Sequence, residues 1–237
     1  MRVFRYIKVI SLVFLLTSNT VFAAQQVALP KRIQANYVVS KDGKAFANVR
    51  EQFVITGKTY QLESVTKGIG VYALLGERKL ISTGKVTSKG LQPRHFELHQ
   101  GDNPKKALFA DFDWSKNTLR MLVKGEPREA KLSSGTQDLA SFAYQFMFLP
   151  RPIKNDLTVK LTTGKKLNEY SYKVKPALEL LNVEGGQYKT LHLVPTDQNE
   201  GKELWLATEK NYLLVRFLMV DEDGAKLEQT LTELHVE

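Results

Sequence analysis

Cysteine is absent from this chain of 237 residues, which removes disulfides, thiolate metal sites and a cysteine nucleophile together. Also missing are the short signatures of common catalysts. There is no Gly-x-Ser-x-Gly elbow and no His-Glu-x-x-His. The glycines of Gly68-Ile69-Gly70-Val71-Tyr72-Ala73 lack the third glycine and the strand–helix frame of a dinucleotide loop. Long apolar runs are scarce as well. The run Val9–Leu16 falls well short of the about 20 residues that span a bilayer.

That short run sits inside an address. Arg2, Arg5 and Lys8 precede it without an acid, and Val21-Phe22-Ala23-Ala24 follows it. A basic start, a short apolar centre and small residues at a cleavage point make a secretory signal peptide. Cleavage is expected after Ala23, so residues 1–23 are read as a leader and residues 24–237 as a single β-rich domain. An exported chain without disulfides suits the bacterial periplasm, the predicted location. The formal net charge of +9 includes the three leader cations. What remains is spread out, with Lys105-Lys106 and Lys165-Lys166 as pairs rather than tracts. A mild attraction to anionic envelope surfaces follows, whereas a nucleic-acid partner is not indicated.

From Arg32 onward, two-residue alternation dominates. Ile33, Ala35, Tyr37 and Val39 share one strand face, and Lys41-Asp42-Gly43-Lys44 reads as a hairpin turn. Further alternating runs lie at Arg94–Gln100, Lys106–Trp114, Thr118–Lys124, Thr158–Thr163, Glu169–Lys175, Tyr188–Val194, Glu203–Ala207, Leu213–Val220 and Lys226–Val236. Turn residues such as Gly185-Gly186 separate them. The predicted fold class is mainly β: a curved antiparallel sheet, half-barrel or open barrel, with one buried apolar helix near the middle of the chain. That helix is predicted over Leu139–Leu149, capped by Thr136 and stopped by Pro150. Leu139, Phe142, Phe146 and Leu149 form one stripe with Ala143 and Met147 beside it, so the helix should face the concave side of the sheet.

A second apolar stretch, Lys67–Gly76, has no clean alternation and carries three glycines. It reads as a short helix or bulged strand covering one end of the barrel, or as an apolar lip at a lipid-facing opening. On the second reading Ile69, Val71, Tyr72, Leu74 and Leu75, with Phe142 and Phe146 inside, are the candidate ligand-binding residues.

Several pieces resemble the domain-of-unknown-function 3108 family of exported bacterial proteins. These are the Tyr37 strand, Ser88-Lys89-Gly90-Leu91-Gln92-Pro93 ahead of Phe96, and Phe112-Asp113-Trp114. Gln137-Asp138-Leu139-Ala140-Ser141 with Tyr144-Gln145 and Glu203-Leu204-Trp205-Leu206-Ala207 complete the likeness, which spans roughly Lys31 to Leu234. The resemblance implies an exported, mostly β envelope protein and carries over no catalytic residue.

Candidate chemistry is sparse. His95, Glu97 and His99 share a strand face, but His95 and His99 would lie ~13 Å apart, too far for one metal ion with bonds of ~2 Å. No metal or cofactor is predicted, and all four histidines, His192 and His235 included, are read as surface or turn-adjacent. Asp111 and Asp113 stand ~6.6 Å apart on one face, a spacing that glycoside hydrolysis can use. The same stretch reads as a half-buried strand with Leu108, Ala110, Phe112 and Trp114 inward and both acids in water. The leading reading is a non-catalytic envelope protein that binds a lipid or other amphipathic molecule in the concave face of the sheet. The alternative is a structural or interaction protein with a filled core and another envelope protein as partner. An enzyme acting on cell-wall glycan or lipid stands third.

Overall fold

The computed structural model describes residues 29–197, 202–220 and 223–237; the expected leader lies outside them. The first half of the domain is an antiparallel meander in which each hairpin is short. Its strands are β1 (Arg32–Lys41), β2 (Lys44–Thr56), β3 (Thr59–Gly68), β4 (Arg78–Thr87), β5 (Gly90–Gln100), β6 (Leu108–Asp113), β7 (Thr118–Val123) and β8 (Glu126–Lys131). The two-residue turn Asp42-Gly43 joins β1 to β2, with both residues at positive φ, as its sequence requires. Alternation works as expected: Ile33, Ala35 and Tyr37 are buried, as are Tyr60, Leu62 and Ser64 on β3.

The second half supplies β9 (Gln137–Asp138), β10 (Leu157–Thr162), β11 (Leu167–Val174), β12 (Glu179–Val183), β13 (Gly186–Pro195), β14 (Lys202–Ala207), β15 (Leu213–Val220) and β16 (Lys226–Val236). One sheet holds all sixteen, in the order β8-β7-β6-β5-β4-β3-β2-β1-β16-β15-β14-β13-β11-β10-β9, with β12 beside β13. The last strand pairs with the first (Leu231 opposite Tyr37), which joins the two meanders. The fold is thus mainly β and antiparallel, apart from the two-residue parallel contact of β9 with β10.

Three apolar clusters pack against the sheet, the first two inside its curve. The largest lies beneath β1 to β7 and takes in Phe53, Tyr60, Phe96, Leu119 and Met121, together with Ala140, Tyr144 and Met147. A second sets Phe146 against Leu191, Leu193, Leu204 and Leu206 of β13 and β14. The opposite side of those strands sends Tyr188, Trp205 and Ala207 into a third, which Ala35, Tyr37 and Val49 complete. The concave face is therefore occupied by the chain's own side chains.

The expected helix is shorter than its apolar stripe suggested. Helical geometry is confined to α1 (Phe142–Gln145) and the 3-10 turn Phe146–Phe148. Thr136 does not cap it, because its hydroxyl donates to the Ser133 carbonyl at 2.8 Å. The free N–H groups of Ala140 and Ser141 instead donate to the Asp138 carboxylate at 2.9 and 2.8 Å. Pro150 does stop the turn, since Leu149 before it is already extended.

Candidate binding site at one end of the barrel

Two polar devices fix the interior before any opening is considered. Ser82 Oγ donates to Asp138 Oδ2 at 2.6 Å and is itself 2.9 Å from Tyr60 Oη. Gln137 Nε2 donates to the Leu91 carbonyl, while the Leu91 N–H donates to Gln145 Oε1 and Gln145 Nε2 to the Lys89 carbonyl. Gly90, at φ +107°, lets that Gln145 amide lie flat on the backbone; a Cβ there would stand 2.4 Å from it. The residues that carry the family resemblance, Gln137-Asp138 with Ser141, Tyr144 and Gln145, are therefore an internal latch. The second device is Glu51, whose carboxylate accepts from Tyr144 Oη at 2.9 Å and Ser64 Oγ at 3.1 Å. Burial raises the Asp138 carboxyl to about 6 and pushes Glu51 upward as well, against the hydrogen bonds that favour their ionised forms.

At the end of the barrel where β4 begins and β5 ends, the sheet leaves a cavity of about 500 Å³. Its wall is apolar: Leu98, Leu108 and Val123, in register on β5, β6 and the end of β7, with Leu139 from beyond the latch. Its rim is cationic, with Arg78, Lys105, Lys106, Lys124 and Lys165, and no acid is part of the lining. Four separate turns or strand ends deliver these five cations. Arg78 opens β4, and Lys105 and Lys106 sit in a 3-10 turn whose first N–H is held by Asn103 Oδ1 at 3.0 Å. Lys124 occupies a left-handed turn position. The turn bearing Lys165 is pinned by the Gly164 N–H donating to Thr162 Oγ1 at 3.1 Å.

Among the described residues, none of these five makes an ion pair, whereas Lys67, Lys79, Arg120 and Lys160 each meet a carboxylate. Desolvation pushes the half-buried Arg78 guanidinium down, so its charge is held at a cost with no carboxylate to offset it. Carboxylate and phosphate groups match such a fork.

The predicted ligand-binding residues do not converge. Ile69 to Leu75 form an exposed 3-10 turn, Gly70–Leu75, with no buried residue, so the stretch does not cover the barrel end. It does adjoin the rim: Gly76 packs on Gly101 so closely that a Cβ would lie 2.9 Å from the Gly101 Cα. Phe142 and Phe146 pack edge to face at 6.5 Å inside the second cluster, away from this opening. Their assignment as ligand-facing residues is corrected by that packing, since the sheet of β13 and β14 already covers Phe146.

Other titratable groups form surface or clamped networks. His95 lies 2.6 Å from Asp111 and 2.9 Å from Glu97, and His99 reaches the other Glu97 oxygen at 2.7 Å. Three of these residues share a strand face as predicted. His192 is not a surface histidine: it is 8% exposed, stacks on Trp205 at 4.1 Å and is held by Glu179 and Glu203. Arg216 covers the other side of that Trp205 ring. The register of His192 with Trp205 across β13 and β14 was the signal for this stack, and it is visible only once strands are paired. Asp111 and Asp113 line a shallow cleft with Arg94 and Trp114. Yet Asp113 is spent on its turn, accepting from Ser115 Oγ at 2.6 Å, and that bond, with the Lys116 N–H, holds its pKa down, unlike a general acid. Trp114 donates to the Pro93 carbonyl at 2.6 Å and stacks on Phe112, so its ring belongs to the fold. No group of His, Asp and Glu among the described residues could hold a metal ion.

A larger groove of about 760 Å³ runs over the outer face of β1 to β3, lined by Asn36, Asn48, Arg50, Gln52, Glu63 and Lys67 among others. Its charges are of both signs, and Lys67 is neutralised by Glu77 at 2.6 Å. The smaller cavity is the one with an unbalanced charge and an apolar wall.

An open, β-barrel-like protein whose interior is closed by its own latch is the class these features define. The chain belongs to the family described as protein of unknown function (DUF3108), which matches residues 32–232. Among solved structures it is similar to a β-barrel-like protein of domain of unknown function DUF1849 from Brucella abortus. That likeness has a TM-score of 0.56 at 12% identity and covers 89% of this chain and 99% of that one. It is also similar, at a TM-score of 0.33 and 11% identity, to a protein with a YmcC-like fold from Bacteroides fragilis, over 87% and 96% of the two chains. The first likeness shows the fold; the second carries no argument. No curated protein matches the chain at a significant level.

Proposed function

We propose that this protein is a non-catalytic component of the bacterial envelope, exported to the periplasm, that binds an amphipathic molecule with an anionic head at the open end of its barrel. One observation carries the reading: five cations without ion-pair partners among the described residues ring a cavity walled by Leu98, Leu108, Val123 and Leu139. A volume of about 500 Å³ falls in the range of small-molecule sites. The apolar wall takes a chain of a few carbons, and the rim takes carboxylate or phosphate. The occupied concave face moves this site from the centre of the sheet, where the sequence suggested it, to the mouth. Export is supported by the Arg2–Ala23 leader pattern.

Native mass spectrometry of protein recovered from its own envelope tests the reading. A co-purifying anionic amphiphile is expected, and Arg78→Glu should remove it while the protein still unfolds in a single cooperative transition. Parent protein that carries no such molecule and binds neither a fatty acid nor a lysophospholipid overturns it. The filled core favours one second reading, an interaction protein of the envelope, under which Arg78→Glu changes no bound mass.

A further inference from the structure

We propose that the 3-10 turn Gly70–Leu75 is a membrane-docking tip that seats the open end of the barrel on an anionic lipid bilayer. Val71, Leu74 and Leu75 are 76, 89 and 71% exposed, with the partly exposed Ile69 and Tyr72 beside them. Contiguous apolar exposure of this kind on a folded domain marks an interaction surface. The turn is also braced. Ile69 N–H donates to the Phe46 carbonyl at 2.7 Å, the Tyr72 ring packs on Phe46 at 5.5 Å, and Gly76 is locked against Gly101. Phe46 and Tyr72 anchor the base, and the aliphatic side chains point away from it.

Charge decides the occupant. The Gly76–Gly101 contact joins the tip to the turn that carries Lys105 and Lys106, and Arg78 follows two residues after Gly76. Glu77 is already paired with Lys67; Asp102 on the same turn opposes the lysines and leaves them in the majority. An apolar tip with a cationic collar matches the acyl–headgroup boundary of an anionic bilayer, where apolar side chains insert and each nearby cation adds attraction. A second copy fits less well, because a two-fold contact through the tip would bring two cationic collars together. The inference stands independently of the cavity ligand.

Flotation of the purified exported protein with vesicles tests it. The parent should float with phosphatidylglycerol–phosphatidylethanolamine vesicles, less with phosphatidylcholine alone, and less again in high salt. Leu74→Asp with Leu75→Asp should cut the bound fraction at least about tenfold. Leu180→Asp, at an exposed apolar position on β12, should not change it. Lys165→Glu, at a rim cation outside that collar, addresses the cavity: lost amphiphile with retained flotation separates that reading from this one. Absence of flotation, or flotation unaffected by the paired leucine substitutions, overturns the proposal. So does light scattering that shows a parent dimer which those substitutions dissociate, or capture of a protein partner in place of lipid.

Discussion

Leu139–Leu149 and Ile69–Leu75 are both apolar and both lack strand alternation, yet Phe146 is 2% exposed and Leu74 is 89% exposed. Hydrophobicity alone does not separate them. The buried segment is surrounded by polar side chains with partners waiting inside: Gln137 reaches Leu91, Asp138 reaches Ser82, Tyr144 reaches Glu51 and Gln145 reaches Lys89. The exposed segment has a single polar side chain, the Tyr72 hydroxyl, and its glycines turn it back on itself. Apolar surface supplies the driving force for burial, but satisfied hydrogen bonds specify which segment enters.

The largest test of that contrast is a pair of truncations. Phe146→Ala should cost about 3–5 kcal/mol through lost burial and the cavity left behind. Leu74→Ala should change stability by less than about 0.5 kcal/mol, as an exposed position does. Urea unfolding of both variants measures the gap, and equal midpoints would sink the distinction.

Next in size is the latch itself. Asp138→Ala strands the N–H groups of Ala140 and Ser141 and leaves Ser82 to Tyr60 alone, at a cost of about 2–4 kcal/mol. Asp138→Asn keeps an acceptor for both N–H groups and should cost less. Because burial raises the folded-state carboxyl from 3.8 to about 6, its contribution is fully present below pH 3.8 and is lost as pH rises through about 6. Carboxylates held low, such as Glu97 and Glu179, act in the opposite sense. The reading is therefore the difference between parent and Asp138→Asn, which should widen in favour of the parent as pH falls from 7 to 4. A constant difference would mean that Asp138 is ionised throughout.

Much of this architecture was legible in the residues. Leu213–Val220 and Lys226–Val236 are strands over those same bounds, because their alternation is long and their turns are marked. β4 was hidden, since its inward positions Ser82 and Gly84 are small or polar to admit Asp138 and the Tyr60 ring. β8 was hidden for another reason: Glu-Pro-Arg-Glu-Ala-Lys is an exposed edge strand, charged where an edge must resist pairing. The latch was visible as a motif but read as a helix start, because its partners on β4 and β5 lie more than forty residues away. The cationic rim showed in the sequence only as two lysine pairs. Folding brings Arg78 and Lys165 to one opening, and no local pattern announces it.

A smaller effect sharpens the account of the tip. Leu74→Asp should leave the free energy of urea unfolding within about 0.5 kcal/mol of the parent, since the side chain is 89% exposed. A clear destabilisation would show that the tip contributes to the core after all.

The smallest effect sets an outer histidine against the inner carboxyl. Asp138 is raised because it is removed from water, whereas Glu97 is lowered by hydrogen bonds, from His99 first and then from His95. His95 answers to the same network: burial works against its charge, but the bonds to Asp111 and Glu97 outweigh that and lift its pKa above 6.5. The stabilisation it gives is fully present below 6.5 and fades as pH rises through the folded value. With more than a third of the ring exposed, water screens most of it, so the titration is a sharper readout than the unfolding curve. In a proton NMR titration the His95 ring should reach its midpoint above 6.5, and Asp111→Asn should bring that midpoint down. A midpoint indifferent to Asp111→Asn would show that the ring and this carboxylate do not meet in solution.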